Sequence, residues 1–267
     1  MLEGLFDNQI MLGAAQAGVA VLLALAVMLL ARWQEIHLER ETVIALVRGL
    51  IQIIAVGSIL VLLFGGPGWT GLAILTGMVA AAGAIAARRA RGIPGAFRIS
   101  LTGIAVGAGA VIALMTWAGV IDEDLTSLIP VGSMLVANSM NTCALALDRF
   151  RGDVEAHTGQ IEAALALGAA PNRSVQRFVR SAVQASMIPR IDTLRSLGIV
   201  WIPGLMAGMV LAGADPVYAA IYQFVVIAMI YAAAGITALV SVILIRSQAF
   251  SPAEQLTLRA GKPQTSS

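Results

Sequence analysis

Apolar residues in this chain run on for about twenty positions at a time, then stop at short clusters of arginine, glycine or acid. A helix needs about 20 mostly apolar residues to cross a bilayer. Seven runs meet that length: 10–31, 43–64, 69–87, 99–120, 128–147, 193–211 and 217–245. The last would extend about 43 Å at helical rise, so it must tilt or project beyond the hydrocarbon. Between the fifth and sixth runs lies a long amphipathic interval, 148–192. Within it, residues 153–168 read as one helix that ends at Gly168, and Pro171 suits the first turn of a second helix. Val175, Phe178, Val179 and Ala182 recur at helical spacing as an apolar stripe, and Arg173, Arg177 and Arg180 form a basic one.

Composition changes the picture by naming the solvent. Charged residues are only 12% and hydrophobic ones 58% of the 267, whereas soluble domains carry roughly 25% charge. So little polar surface cannot cover a water-soluble globule. The pattern predicts an all-α integral membrane protein of about seven transmembrane helices, one transmembrane domain over residues 1–267, with a cytoplasmic helical hairpin.

Charge then orients it. Of the seventeen lysines and arginines, all but Arg48 and Arg195 fall in 32–42, 88–98, 148–192 and 246–267. Those two lie near the same ends of their spans, and the opposite loops, 65–68, 121–127 and 212–216, hold none. Lysine and arginine stay in the cytoplasm, so the expected topology is N-out and C-in, in a bacterial inner membrane and in contact with its lipid. A net charge of +2 gives no reason to invoke nucleic acid.

The chemistry that is missing is informative too. A P-loop needs Gly, four residues, then Gly-Lys-Ser/Thr. Gly261-Lys262 is preceded by Leu256 where the first glycine belongs and followed by Pro263. The spans carry no Asp, Glu or His apart from their very ends, so no proton relay is evident. His37 and His157 read as plain loop residues. The chain is expected to be no enzyme and to hold no cofactor, its energy coming from a partner. Cys143 stands alone, which excludes an internal disulfide.

Polar residues inside apolar runs must face protein or water. Asn138 and Asn141 share a face with Met134, and Ser139 lies between them; these are candidate pathway residues. Pro203-Gly204 interrupts the sixth run just before Met206, and such breaks occur where backbone lines a cavity. Arg48 and Gln52 share one side of the second span. Asp192 and Arg195 are placed to neutralise each other. Gly103/Gly107 and Gly204/Gly208 read as close-packing seams. Hard oxygen ligands for a metal are few.

Glu162-Ala163-Ala164-Leu165-Ala166-Leu167-Gly168 resembles the Glu-Ala-Ala-x-x-x-Gly motif of ABC transporter permeases, although the usual later Ile-x-Leu-Pro is replaced by Ile188-Pro189. The flanking Gly132 to Asn141, Ile188-Pro189-x-x-Asp192, Gly198 to Gly208, Gly213-x-Asp215-Pro216 and Tyr222-Gln223 look like the FetB (YbbM) family, as does Arg48-x-x-x-Gln52 with Gly57. That resemblance implies a homodimeric permease carrying iron or another metal outward. It also implies two copies of a separate ABC ATP-binding subunit that supply ATP and Mg and dock at Glu162, Ala163, Ala164, Gly168, Arg173 and Arg177. An ATPase-independent channel or secondary transporter, and a membrane scaffold that only docks a cytosolic protein, are the competing readings.

Overall fold

The computed structural model describes residues 9–34, 39–64, 66–90, 92–122, 124–251 and 253–258. His37, Arg91, Glu123 and residues 259–267 lie outside them, as do the parts of the expected loops they occupy. The described residues form ten helices and no strand. Five of these helices are long and apolar enough to cross a membrane, so the chain is an all-α, multi-pass membrane protein.

The helices fall into two compact units, Met1–Gly66 and Pro67–Ser267. The first holds α1 (Gln9–Trp33) and α2 (Glu39–Phe64). Leu22, Leu23, Leu29, Ile51, Ile53 and Ile54 are all exposed in it. That is the outward surface a lipid solvent calls for.

The second unit is built on α10 (Pro216–Gln248), packed along α4 (Ala96–Trp117) and α5 (Leu125–Ala156), with α3 (Trp69–Arg89) against α4 and α5. Water expulsion cannot hold helices together in hydrocarbon, so close backbone approach must. Gly103 and Gly107 supply it: a Cβ added at Gly107 would sit 2.0 Å from Thr237 Oγ1 and 2.6 Å from the Ala233 carbonyl oxygen. At Gly103 it would meet Ser241 Oγ at 2.0 Å. This glycine pair is therefore an internal seam between α4 and α10. A Cβ at Gly204 or Gly208 would meet no atom within 4 Å, so the second pair makes no such seam. Beside the first seam Cys143 Sγ lies 3.3 Å from Ser241 Oγ, fully buried.

α5 has 32 residues and α10 has 33. Each is about 50 Å long, against about 30 Å of hydrocarbon, so each projects beyond it. The polar end of α5 does so with two ion pairs at helical spacing, Arg149–Asp153 at 3.3 Å and Arg151–Glu155 at 2.7 Å.

Two expected elements differ. Residues 153–168 are not one helix: α5 ends at Ala156 and α6 (Thr158–Ala166) begins anew after His157. At the break Nδ1 of His157 lies 2.8 Å from the Asp153 carbonyl oxygen, and the Thr158 hydroxyl donates to the carbonyls of Val154 and Glu155. Side chains that bond to the backbone in this way compete with the helical ladder. Nor is 193–211 one helix: the break expected at Pro203-Gly204 is present and starts earlier, at Leu197. α8 (Gln176–Ser196) supplies its first four residues, 197–203 are non-helical, and α9 (Gly204–Leu211) has only eight residues. At about 12 Å, α9 cannot cross a bilayer alone.

The glycine seam gives a direct test. Gly107→Leu should lower the thermal midpoint in detergent, since overpacking a tight contact costs about 1–3 kcal/mol. Gly109→Leu, whose added Cβ meets no atom within 4 Å, should melt close to the unaltered protein.

Candidate functional site

The hairpin is shaped by its backbone. Gly168 follows α6 with φ +85°, a left-handed conformation that residues with a Cβ rarely adopt. The Gly168 N–H donates to the Leu165 carbonyl at 2.9 Å and the Ala169 N–H to that of Ala164 at 3.0 Å. These two bonds close a Schellman turn. Pro171 then opens the one-turn α7 (Pro171–Ser174), and Val175 leads into α8. Val175, Phe178 and Ala182 are buried with Phe150, Val154 and Ile161, and Val179 packs beside them. The hairpin is thus held to the end of α5 by its apolar stripe.

The opposite face is left open. Glu162, Ala163, Gly168, Arg173 and Arg177 are exposed, and Ala164 is half-buried. Arg177 donates to the Gln160 side-chain carbonyl and stacks over the Phe178 ring. Between α6 and α7 a concavity of about 350 Å³ is lined by Gln160, Ala164, Ala169, Arg173 and Arg177. At its tip Leu167 is 89% exposed. A leucine with nothing against it is a feature of the fold rather than of the sequence, where it passes as one more residue of an alanine-rich helix.

The second polar cluster sits where α8 stops. Leu197 is extended, Gly198 has φ +76°, and Pro203 is extended as the cap of α9. The broken backbone satisfies itself: the Gly198 N–H donates to the Trp201 carbonyl, and the N–H groups of Ile199, Val200 and Trp201 all reach the Ser196 carbonyl. Buried Gln223 of α10 accepts from the Met206 N–H at 3.3 Å.

Beside the break is a cavity of about 300 Å³ lined by Asn138, Arg190, Thr193, Ser196, Trp201 and Tyr231, among others. A second, of about 210 Å³, is lined by Arg89, Asn141, Thr142, Ser186, Pro189 and Arg190. Arg190 therefore borders both. Its guanidinium donates to the Asn138 side-chain carbonyl, while the Asn138 amide donates to the Met134 carbonyl at 2.8 Å. The Arg190 Nε is buried without a hydrogen-bond partner.

Of the expected pathway residues, Asn138 and Asn141 are brought to these cavities, and Met134 adjoins Asn138 through its carbonyl. Ser139 is fully buried and lines neither, its hydroxyl unpaired. Pro203, Gly204 and Met206 shape the break without lining either of these two cavities. Arg48 and Gln52 share one shallow groove on α2, in the first unit. Asp192 and Arg195 do pair, at 3.7 Å and in the open. Arg190 and Arg89 escaped the sequence reading because both counted there only as loop charges. What places Arg190 internally is that α8 stays helical to Ser196 along α5 and α10.

A family model described as Uncharacterised protein family (UPF0014) matches residues 14–250. The rice UPF0014 membrane protein STAR2 is 33% identical over 245 residues, 91% of this chain and 84% of that protein. Protein ALUMINUM SENSITIVE 3 of Arabidopsis thaliana is 30% identical over 246 residues, 91% and 90% of the two chains. The Probable iron export permease protein FetB of Escherichia coli K12 is 28% identical over 242 residues, 90% and 93% of the two. No solved structure matches. With its family model covering most of the chain and its helices apolar enough to span a bilayer, this chain belongs to the UPF0014 family of membrane proteins.

Proposed function

We propose that this chain is the membrane subunit of an ABC transporter, moving a metal or metal complex outward across a bacterial inner membrane. A separate ATP-binding subunit, holding ATP and Mg, drives it, and two copies of each form the working complex. The observation that carries this reading is the hairpin α6–α7. It is a helical turn closed by a Schellman motif, with exposed Leu167 and a basic flank, on a membrane protein that has no nucleotide motif in its own sequence. The name of the Escherichia coli relative, an iron export permease, supports the transport half and suggests the cargo.

Mechanically, the hairpin is suited to passing on force. Ile161 and Leu165 of α6 pack into the apolar cluster that α5 and α8 share, and these pack on α10. A push at Leu167 is delivered through α8 toward Arg190 and the break that follows it. The chain itself breaks no bond. It offers a docking surface at one end and a polar cavity at the other.

Two outcomes follow. Co-expression with a stand-alone ABC ATP-binding subunit encoded beside this chain should yield a complex of about 2:2 on purification. Transport into liposomes by the chain alone would instead establish a channel or secondary carrier. Leu167→Asp should leave the thermal midpoint unchanged, because the side chain is exposed. It should also weaken association with the ATP-binding subunit at least about tenfold, as expected for losing a buried leucine contact. Wild-type affinity and coupled transport in that variant would remove the hairpin tip from the docking surface.

A further inference from the structure

Arg190 is a cation without a counter-charge. Among the described residues no carboxylate lines either cavity it borders, and none forms an ion pair with it or with Arg89. The nearest acid along α8, Asp192, is exposed and held by Arg195. A guanidinium has five N–H donors in a planar fork, and here one acceptor, the Asn138 carbonyl, is supplied. The Nε is sealed from solvent and unpaired. In the second cavity Thr142, only 2% exposed, likewise presents a hydroxyl with no partner. Asn138 and Asn141 add side-chain amides around the two arginines, whereas the Ser186 and Thr193 hydroxyls already donate to the Val183 and Pro189 carbonyls.

Such a lining repels cations. Among the described residues no three His, Cys, Asp or Glu side chains converge on a point where a metal ion could sit. It has instead what an oxyanion asks for: a fork geometry that matches carboxylate or phosphate in two parallel bonds, a second positive charge, Arg89, on the smaller cavity, and the unpaired Thr142 hydroxyl there. A 300 Å³ space would hold on the order of ten waters, room for a small organic acid.

We propose that the cavities flanking Arg190 bind a small oxyanion, through carboxylate or phosphate groups, with Arg190 as its principal partner and Arg89 as its second. Joined to the transport reading above, on which this clause rests, a metal cargo passes as an anionic chelate and not as a bare ion.

The test is binding to the purified full-length chain in an uncharged maltoside detergent, by calorimetry and by melting, with citrate and then inorganic phosphate as probes. Citrate should bind and raise the thermal midpoint, and Arg190→Gln should weaken that binding at least about tenfold, the worth of a charge-assisted hydrogen bond. Arg190→Lys, which keeps the charge without the fork, should fall between. If Arg190→Gln melts well below the unaltered protein before any anion is added, Arg89→Gln carries the comparison and should weaken citrate several-fold. A lipid headgroup offers the same chemistry, so nanodiscs of phosphatidylcholine with and without phosphatidylglycerol separate the sources. Citrate binding that withstands phosphatidylglycerol assigns a soluble anion, and displacement that depends on Arg190 assigns the lipid phosphate to the same site. Citrate affinity indifferent to both arginines, or binding of ferrous ion with no anion response, overturns the proposal. The assay needs no ATP-binding subunit. Failure here with a 2:2 complex in hand removes the anion site alone, and success without such a complex leaves the site standing while the ATP-driven reading falls.

Discussion

Hydrocarbon offers no hydrogen bonds, so each polar group within it must find its partner in the protein or in water the protein admits. Much of the second unit follows from that constraint. The α4–α10 seam closes on backbone because glycine removes the side chain between them. The interrupted stretch 197–203 turns its own N–H groups back onto Ser196 and Trp201, and Gln223 reaches across to the Met206 N–H. Where the requirement is left unmet, at the Arg190 Nε and the Thr142 hydroxyl, the atoms border cavities. Other buried groups, among them the Ser100, Ser139 and Thr237 hydroxyls, are unpaired as well, but Arg190 and Thr142 are set apart because both line these cavities.

The same constraint joins the two ends of the proposed machine. α8 begins in the hairpin, among Val175 and Phe178, and ends at Ser196 beside the cavity. A single helix thus runs from the surface that would meet an ATP-binding subunit to the arginine that would meet cargo. Pro189 weakens it one residue before Arg190, because proline removes one ladder bond and crowds the preceding turn. A bend at that point moves Arg190 relative to Asn138, which stands on α5. A like charge held 4 Å from a guanidinium costs about 4 kcal/mol at an effective dielectric near 20. Shifting Arg190 therefore changes what the cavity will tolerate.

Long apolar runs were readable without coordinates, and α1, α3, α4, α5 and α10 lie where hydropathy places them. So was the turn at Gly168, since only a residue free of a Cβ sits easily at φ +85°, and the stripe of Val175, Phe178 and Ala182 was plain from its spacing. The break in the sixth span was legible at Pro203-Gly204, but its extent back to Leu197 was not, because hydropathy averages over a window. It does not register that Gly198 and Pro203 each stop a ladder, so a polar helix end, a loop and eight apolar residues look like one segment. The break at His157 was hidden for a related reason: it depends on two side chains bonding backward to carbonyls, which composition does not encode. Arg190 was invisible as a site because its place beside Asn138 is a long-range fact, set by α5 and α10 packing on α8, while the polar neighbours Asn138 and Asn141 announced themselves by standing in an apolar run.

The polar cavity beside the break after α8 must admit water if it is to take an ionic cargo. The most direct measurement is thiol accessibility in membranes, with Cys143→Ser as background and single cysteines at Thr193, beside Arg190, and at Ile243, on the exposed apolar face of α10. Thr193→Cys should react readily with a water-soluble methanethiosulfonate, and Ile243→Cys should not. A Thr193→Cys protein as unreactive as Ile243→Cys would mean that no aqueous cavity reaches Arg190, and the account would be contradicted.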